Sequence, residues 1–231
     1  MPDGAIAQPP GRGSGRTGRP PLTEERKAEI RLEIARAAVE LFVAQGVAAT
    51  TGEQIGQAVG VSARTVWRYF PSKEMCVSPL FAAGIDAIAA ALRAWRPGRP
   101  LDEALGRAVT TGERPMARSH LPQVRALLRL TRTEPGLRAV WLQAHDEAEP
   151  VFARALADRA GLPAVDLRSE IQAAMLNAAL RTAVEHYAWR APEAAGDAAT
   201  ARDDAGDAAT AQAELMATMC SALVVAAEGL A

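Results

Sequence analysis

The chain has 231 residues, 49% of them hydrophobic and 23% charged, which is the balance of a globular protein and excludes a disordered tail or a mini-protein. Its 26 basic and 27 acidic residues leave a formal net charge of −1, so the bulk charge indicates neither a nucleic-acid partner nor a membrane partner. One large domain or two small ones fit this length.

The cysteines and the N-terminal residues favour a cytoplasmic protein. Cys76 and Cys220 lie far apart and form no CxxC pair, which excludes a disulfide framework and a zinc knuckle. Residues 1–22 lack the apolar stretch of a secretion signal, and no run of about 18 consecutive apolar residues marks a membrane span. We therefore expect no membrane partner.

In chain order, residues 1–22 form the first segment. They are rich in glycine and proline and carry one acidic residue against three arginines, Arg12, Arg16 and Arg19. This composition predicts a flexible basic arm. Helical spacing begins directly after it, because Thr23 can cap a first helix that ends near Gly46. The apolar residues of this helix form one stripe: Ile30, Ile34, Ala37, Ala38, Leu41 and Phe42.

Two short helices joined by a tight turn follow. Thr51 can cap the first, with Gln54 in the capping-box position, and Gly60 supplies the turn. Ser62 can cap the second helix, residues 63–69, which ends before Pro71. This arrangement predicts a helix-turn-helix, with an ordinary helical hairpin as the alternative. Gly56 leaves room for the two helices to cross closely above a small shared core of Ile55, Val59, Val61, Val66 and Phe70.

Local charge favours DNA binding by the second short helix. Residues 61–73 contain Arg64, Arg68 and Lys73 and no acidic residue, a net charge of +3. Ser62 and Thr65 add hydroxyl groups at its N-terminus, where anions bind. Arg64 is the first candidate for a bidentate contact to guanine in the major groove, and a phosphate contact is the alternative.

The rest of the chain also has helical periodicity, and no run of alternating β-branched residues predicts a strand. The fold class is therefore all-α. Further helices are predicted at 72–95, 101–117, 122–133, 135–160, 166–190 and 212–230, separated by prolines. A polar near-repeat at 196–201 and 206–211 predicts a mobile loop over 191–211. We divide the chain into the arm at 1–22, a candidate DNA-binding domain at 23–74 and a helical C-terminal domain at 75–231.

Residues 51–74, TGEQIGQAVGVSARTVWRYFPSKE, resemble the DNA-binding signature of TetR-family transcriptional regulators. The resemblance implies an all-helical homodimer that binds a double-stranded DNA operator and is most often a repressor released by a small molecule. It also implies that Arg64 and Trp67 lie on the base-facing helix. The positions that commonly contact phosphates in the family are Thr51, Ser62, Thr65, Tyr69 and Lys73.

Two further features are interpreted through this resemblance. Gly56 and Val59 stand where the family usually has alanine, which predicts a looser helix before the turn. Trp67 replaces a smaller aromatic residue and either packs inward or lies outward against a thymine methyl group or a sugar. In similar proteins arginines of N-terminal extensions enter the minor groove, a role open to Arg16 and Arg19, and a tail without a role is the alternative.

The C-terminal domain is predicted to dimerise and to bind a small apolar or amphipathic effector. The resemblance implies that residues 75–231 form the effector-binding and dimerisation domain, because in TetR-like proteins the last two long helices form a four-helix bundle with the partner subunit. Here these would be the helices near 166–190 and 212–230, the second of which carries Leu215, Met219 and Leu223. Candidate pocket walls are Phe81, Ile85, Met116, Leu127, Trp141, Met175 and Leu180, although such residues are more often plain core. Candidate polar anchors are His145, Asn177, Arg181 and His186.

Two alternatives concern this domain. The spacing of Arg181 and Glu185 also fits an i,i+4 surface pair. Residues 178–189 are similar to the C-terminal domain of a TetR subgroup with acyl-CoA-like ligands, which would narrow the class of effector.

Enzyme chemistry finds little support in the sequence. His120, His145 and His186 lie apart without metal-ligand spacing, and neither a Ser-His-Asp arrangement nor a phosphate-binding glycine loop can be assigned. We therefore expect no catalytic site, no metal and no cofactor. The remaining alternatives are a helical ligand-binding or interaction protein that does not read DNA, and an activator instead of a repressor.

Overall fold

The computed structural model describes residues 23–96, 98–99, 101, 103–104, 121–190 and 204–228. Within these ranges all regular structure is helical, which confirms the all-α class. The helices are α1 (Glu24–Gln45), α2 (Gly52–Ala58), α3 (Ala63–Tyr69), α4 (Ser78–Ala94), α5 (Leu121–Leu130), α6 (Pro135–Arg159), α7 (Leu167–Trp189) and α8 (Asp204–Glu228), with a 3-10 helix at Glu74–Val77. The predicted basic arm, most of the helix predicted at 101–117, and the residues Arg16, Arg19 and Met116 lie outside the described residues.

The first three helices begin and end where the sequence predicts. Thr23 accepts a hydrogen bond from the Arg26 amide, and the stripe of α1 is buried at Ile34 and Phe42. Gly46 and Gly60 have φ angles of 85° and 71°, a left-handed conformation that residues with a side chain rarely adopt. These glycines therefore end α1 and form the turn after α2.

Two predicted boundaries are wrong. The helix predicted at 72–95 is a 3-10 helix followed by α4, which begins at Ser78 because Pro79 suits the first turn of a helix, where its missing N–H is not needed. The last helix begins at Asp204, so residues 204–211 are helical and do not belong to a mobile loop. Alanine has the highest helix propensity and an aspartate at the first position favours the positive helix end, which explains the earlier start.

Two clusters of buried residues form the core. The first joins α1, α2 and α3 to α5 and the start of α6 around Phe42, and the second joins α6, α7 and α8 around Phe152. Helix α4 contributes Phe81 to the first cluster and Leu92 to the second, so it connects the two parts of the molecule. Within the described residues, only the segment Glu74–Ala94 has the length and mean hydropathy, 1.8, of a membrane span, and its buried residues belong to these clusters.

Candidate functional site

Helix α3 presents a cationic surface. Arg64 and Arg68 are both exposed, and neither takes part in the ion pairs found in the described part of the chain. The guanidinium of Arg68 lies 5.2 Å from the ring centroid of Tyr69, and that of Arg31 lies 5.4 Å from the same centroid. Two arginines thus flank the half-buried Tyr69 at the end of α3.

Hydroxyl groups cap both short helices. The Thr51 hydroxyl accepts from the Gln54 amide at 3.3 Å, and the Gln54 side chain accepts from the Thr51 amide at 2.9 Å, which completes the predicted capping box. The Ser62 hydroxyl accepts from the Thr65 amide at 3.2 Å and lies 3.0 Å from the Thr65 hydroxyl. Thr51 and Ser62 are exposed, so their hydroxyl oxygens remain accessible to a phosphate.

Gly56 lets the turn approach α2. A Cβ atom at this position would lie 2.6 Å from the Val61 carbonyl oxygen and 3.2 Å from the Ala63 nitrogen, both of them backbone atoms. The Val61 amide also donates to the Gly56 carbonyl at 2.8 Å. The prediction that Gly56 leaves room for a close crossing is confirmed, and the glycine has a packing role that alanine could not fill on this backbone.

Trp67 lies partly inward and partly outward. Its side chain packs across Gly52 in the first turn of α2, where a Cβ atom would lie only 2.0 Å from Cζ2 of the indole. The residue is nevertheless 43% exposed. The prediction that Trp67 packs inward is therefore confirmed for the edge of the ring that lies against α2, and the contact with a thymine methyl group or a sugar stays a prediction.

Lys73 bonds within the protein, so the prediction that it contacts phosphate is wrong. Its ammonium group donates to the carbonyl oxygens of Val47, Ala48 and Thr50, which uses all three of its N–H groups. These carbonyls belong to the loop between α1 and α2. Lys73 therefore holds this loop against the 3-10 helix and does not belong to the exposed cationic surface of α3.

A second polar site lies buried between α6 and α7. Nδ1 of His145 is 2.6 Å from Oδ1 of Asn177, and the Asn177 amide donates to the His145 carbonyl at 2.9 Å and to Glu149 at 3.0 Å. His145 and Asn177 are both buried. Because the Asn177 amide group is already committed as a donor, its oxygen faces Nδ1 of His145, which therefore carries the proton.

The aromatic side of this site is formed by Phe81 and Trp141. Their ring centroids are 4.9 Å apart, and the ring of His145 packs edge-on against Trp141 at 4.1 Å. Nε2 of His145 is buried and has no hydrogen-bond partner in the described part of the chain. Burial lowers the pKa of His145 below its usual range, although the hydrogen bond with Asn177 opposes this shift. His145 is therefore a neutral, partly unsatisfied group inside an otherwise paired site.

At the other end of the site, Glu185 accepts hydrogen bonds from three side chains. One of its carboxylate oxygens accepts from Trp141 Nε1 at 2.7 Å, from Arg138, and from Arg181 at 3.4 Å. Burial alone would raise the pKa of Glu185, but the hydrogen bonds from Trp141 and Arg138 and the charges of Arg138 and Arg181 outweigh it and hold the pKa below its usual range. The carboxylate is thus stabilised in its charged form.

The structure brings together some of the predicted pocket residues and separates others. Phe81, Trp141, His145, Asn177 and Arg181 form one continuous set of contacts through Glu185. Leu127 lies fully buried in the same core cluster as Phe81 and Trp141, whereas Ile85 packs against the other cluster.

The placement of Met175 and His186 in an internal pocket is wrong. Met175 is 47% exposed, and His186 is exposed beside Arg190. Both lie on the faces of α7 that turn away from α6, whereas Asn177 and Glu185 on the same helix face inward.

Sequence reasoning missed Arg138, Glu149 and Glu185 as members of this site. The predicted i,i+4 pair of Arg181 and Glu185 does form, at 3.4 Å, but it is not a surface pair, because Glu185 is only 7% exposed. A signal was present in the spacing. Positions 177, 181 and 185 recur every four residues and positions 138, 141, 145 and 149 every three or four, so each helix carries one polar stripe. Two such stripes on antiparallel helices can face each other.

An open groove of about 590 Å³ lies one helical turn beyond the His145 and Asn177 pair. It is lined by Glu149, Pro150, Ala153, Val165, Glu170, Ile171 and Ala174. Ile171 belongs to an exposed apolar stripe of α7 with Leu167 and Met175, spaced four residues apart. Within the described residues, no group of three or more His, Cys, Asp or Glu side chains is placed to hold a metal ion.

Comparisons with known proteins match both parts of the chain. A model of the bacterial regulatory proteins of the tetR family matches residues 34–78, and a model of the MftR C-terminal domain matches residues 99–223. The HTH-type transcriptional regulator TcmR of Streptomyces glaucescens is 37% identical over 151 residues, which are 62% of this chain and 66% of that protein. The chain thus spans just under two-thirds of the length of this relative.

Two solved structures also align with most of the chain. Thermus thermophilus FadR, a TetR family transcriptional repressor in complex with lauroyl-CoA, has a TM-score of 0.47 and 21% identity and covers 87% of this chain and 95% of its own. Salmonella enterica GusR has a TM-score of 0.47 and 19% identity and covers 87% of this chain and 98% of its own.

Proposed function

The chain belongs to the TetR family of DNA-binding transcriptional regulators, and we propose that it is a repressor that binds a pseudo-palindromic operator as a homodimer and leaves it when a small molecule binds. This family consists of regulators and not of enzymes. The single observation that carries the proposal is the cationic surface of α3, in which Arg64 and Arg68 are exposed beside capped helix ends.

The residues of this surface divide into two roles. Thr51, Ser62, Thr65 and Tyr69 have polar atoms near helix ends and would contact phosphates, which fixes the register of the protein on DNA. Arg64 lies in the first turn of α3 and would reach a base edge, because the recognition helix of this motif enters the major groove with its N-terminal residues. Arg68 and the exposed part of Trp67 would contact the groove wall.

DNA binding is tested by fluorescence anisotropy with fragments from the region upstream of the gene. We expect specific binding that weakens as salt is added. For each phosphate that the protein neutralises, the logarithm of the association constant should fall by about 0.9 per tenfold rise in salt concentration. Tyr69→Phe should weaken binding to all sequences alike. If no fragment binds at moderate salt, the alternative of a helical ligand-binding or interaction protein replaces the regulator.

Dimerisation would place two α3 helices in successive major grooves, about 34–36 Å apart. Five of the nine exposed large hydrophobic side chains in the described residues lie on α7 and α8: Leu167, Ile171, Met175, Val224 and Val225. These residues support a four-helix interface with a second copy. Leu215 and Met219 pack inside the subunit instead, so the interface of α8 would lie on the face of Val224 and Val225.

The oligomeric state is measured by light scattering after size exclusion. We expect a dimer of the 24.3 kDa chain and a monomer for Ile171→Glu/Met175→Glu. Leu142→Glu is the matched control, since Leu142 on α6 is 43% exposed and lies outside the proposed interface. A dimer that survives the double substitution would move the interface elsewhere.

The effector would bind against the buried site between α6 and α7. Nε2 of His145 would accept a hydrogen bond, and the buried side chains of Phe81, Leu127 and Trp141 would form apolar walls, which suits a small apolar or amphipathic molecule with one donor group. A thermal-shift screen with substrates of the neighbouring genes' products should find a compound that raises Tm and releases DNA. His145→Phe should lose this response while keeping operator affinity.

A further inference from the structure

Five arginines surround the last turn of α7, and one of them, Arg138, lies 5.4 Å from the ring centroid of Trp189 and is paired with Glu185. Arg129 Nε donates to the Ala188 carbonyl at 3.0 Å, and Arg125 donates to the Arg190 carbonyl at 3.3 Å. The guanidinium of Arg132 lies 5.6 Å from the ring centroid of Trp189, and that of Arg190 lies 3.2 Å from Nε2 of His186. We call the side chains of Arg125, Arg129, Arg132 and Arg190 the arginine cluster.

Within the described residues, the positive charge of the arginine cluster is opposed by Glu214 of α8 without an ion pair, since the charge of Glu214 acts on Tyr187 together with those of Arg125 and Arg129. None of the ion pairs formed there involves any of the four arginines, and the buried Nε of Arg125 has no acceptor. Three of them stand at i, i+4 and i+7 along α5 and the turn that follows it, where like charges repel one another. The two backbone carbonyls take one N–H group each from Arg125 and Arg129, although a guanidinium carries five.

We infer that the arginine cluster is a binding site for a polyphosphate anion. Guanidinium groups match phosphate oxygens in a bidentate geometry, and Arg129, Arg132 and Arg190 are exposed to such a ligand. Arg125 and Arg132 are seven residues apart, which is about 10 Å along a helix. An anion with two or three linked phosphates can contact more of these guanidinium groups at once than a single phosphate can.

The arginine cluster lies away from the DNA-binding surface. Helix α1 connects the two, with Arg31 beside Tyr69 of α3 and Glu40 accepting from Gln123 of α5 at 3.5 Å. Arg31 and Glu40 are nine residues apart, about 13 Å along α1. A free phosphorylated molecule therefore fits the site better than the operator.

The test uses the full chain without DNA and titrates it with sodium tripolyphosphate by calorimetry in about 150 mM NaCl. We expect saturable binding that Arg132→Gln/Arg190→Gln weakens at least about tenfold, since both substituted side chains reach solvent. Arg93→Gln/Arg168→Gln removes two other exposed arginines and should leave the affinity unchanged. Orthophosphate should bind at least about tenfold more weakly than tripolyphosphate, because it spans fewer guanidinium groups.

Three results would overturn the inference: no saturable heat with tripolyphosphate, equal losses in the two double variants, or equal affinity for orthophosphate. Operator affinity is measured on the same samples. If Arg132→Gln/Arg190→Gln loses operator affinity while its tripolyphosphate binding is unchanged, the arginine cluster is a DNA contact and not a site for a free anion. Because the calorimetry contains no DNA, its outcome is independent of the proposed repressor function.

Discussion

In the helix-turn-helix, the capping side chains bond to residues three positions away, whereas the polar side chains that join α6 to α7 bond to residues 28 to 47 positions away. The first set is exposed and leaves its outer atoms for a ligand. The second set is buried, and nearly every polar atom already has a partner. The two regions therefore differ in what a substitution does. We expect a change in the first to alter DNA binding and a change in the second to alter stability.

This difference follows from the cost of burying polar groups. An exposed cap that loses its partner is solvated by water, so the loss is about 1 kcal/mol. A buried carboxylate or guanidinium that loses its partner remains in a medium of low polarity, and the loss is several times larger. The α6 and α7 site is thus the more sensitive of the two regions to a single substitution.

The largest expected effect is that of Glu185→Ala. The substitution leaves Trp141 Nε1, Arg138 and Arg181 without their shared acceptor, and we expect the free energy of unfolding to fall by about 3 kcal/mol, as measured by urea denaturation. Arg138 and Arg181 are each about one-third exposed, which places this value at the low end for a buried pair.

Glu147→Ala is the control for this experiment. Glu147 is an exposed carboxylate on α6 whose contact is a hydrogen bond from Gln143 at 2.8 Å. Its removal should change the free energy of unfolding by no more than about 0.5 kcal/mol. Equal effects of the two substitutions would show that Glu185 is solvated, and the contrast between the two regions would disappear.

Gly56→Ala should have the next largest effect. The added Cβ meets backbone atoms of the turn at 2.6 Å and 3.2 Å, and backbone cannot move aside as a flexible side chain can. We expect a loss of about 2 kcal/mol in the free energy of unfolding, with weaker operator binding because α3 shifts. Gly56 belongs to the helix-turn-helix, yet its substitution should lower stability. The comparison between the helix-turn-helix and the site between α6 and α7 therefore applies only to their polar side chains.

Gly84→Ala, also a glycine-to-alanine substitution, should raise the free energy of unfolding where Gly56→Ala lowers it. Gly84 lies within α4, and a Cβ atom added there would meet no neighbouring side chain or element within 4 Å. Alanine should therefore raise the free energy of unfolding by about 0.5–1 kcal/mol. A loss of stability at Gly84, or none at Gly56, would contradict the account of the turn.

Arg64→Ala tests whether a side chain of the helix-turn-helix affects DNA binding without affecting stability. Since Arg64 is exposed and has no ion pair among those described, its removal should leave the thermal unfolding midpoint unchanged. Operator affinity should fall about tenfold or more, and discrimination between operator and unrelated DNA should fall with it. Arg68→Ala distinguishes the roles, because a phosphate contact would weaken both kinds of DNA equally.

The same contrast explains how far sequence reasoning reaches. The caps at Thr51 and Ser62, the turn at Gly60 and the packing of Gly56 all follow from spacings of a few residues, which a sequence displays directly. The prediction for Lys73 is wrong because its partners are carbonyls 23 to 26 residues away, and a charge in a cationic window looks free until the fold is known.

Glu185 escapes prediction for the same reason. Its i,i+4 relation to Arg181 is visible in the sequence, but its burial and its bonds to Arg138 and Trp141 depend on how α6 packs against α7. The predicted start of α8 is eight residues late because the polar repeat favours a loop, whereas alanine's helix propensity decides the structure. Local chemistry is thus predicted well, and contacts between distant segments are not.

The smallest expected effect concerns pH and the buried His145. Its pKa is lowered in the folded protein, so the unfolded chain binds the additional proton first as the pH falls below the unperturbed value of about 6.5. The stability associated with neutral His145 is therefore fully present above about pH 6.5 and is lost as the pH falls towards the folded pKa.

Between about pH 7.5 and about pH 5.5, Tm should fall further in the wild type than in His145→Gln. His186→Gln removes an exposed histidine and should keep the wild-type slope. If His145→Gln and the wild type have the same slope, His145 is not held neutral by burial, and its Nε2 is not the unsatisfied acceptor on which the proposed effector contact depends.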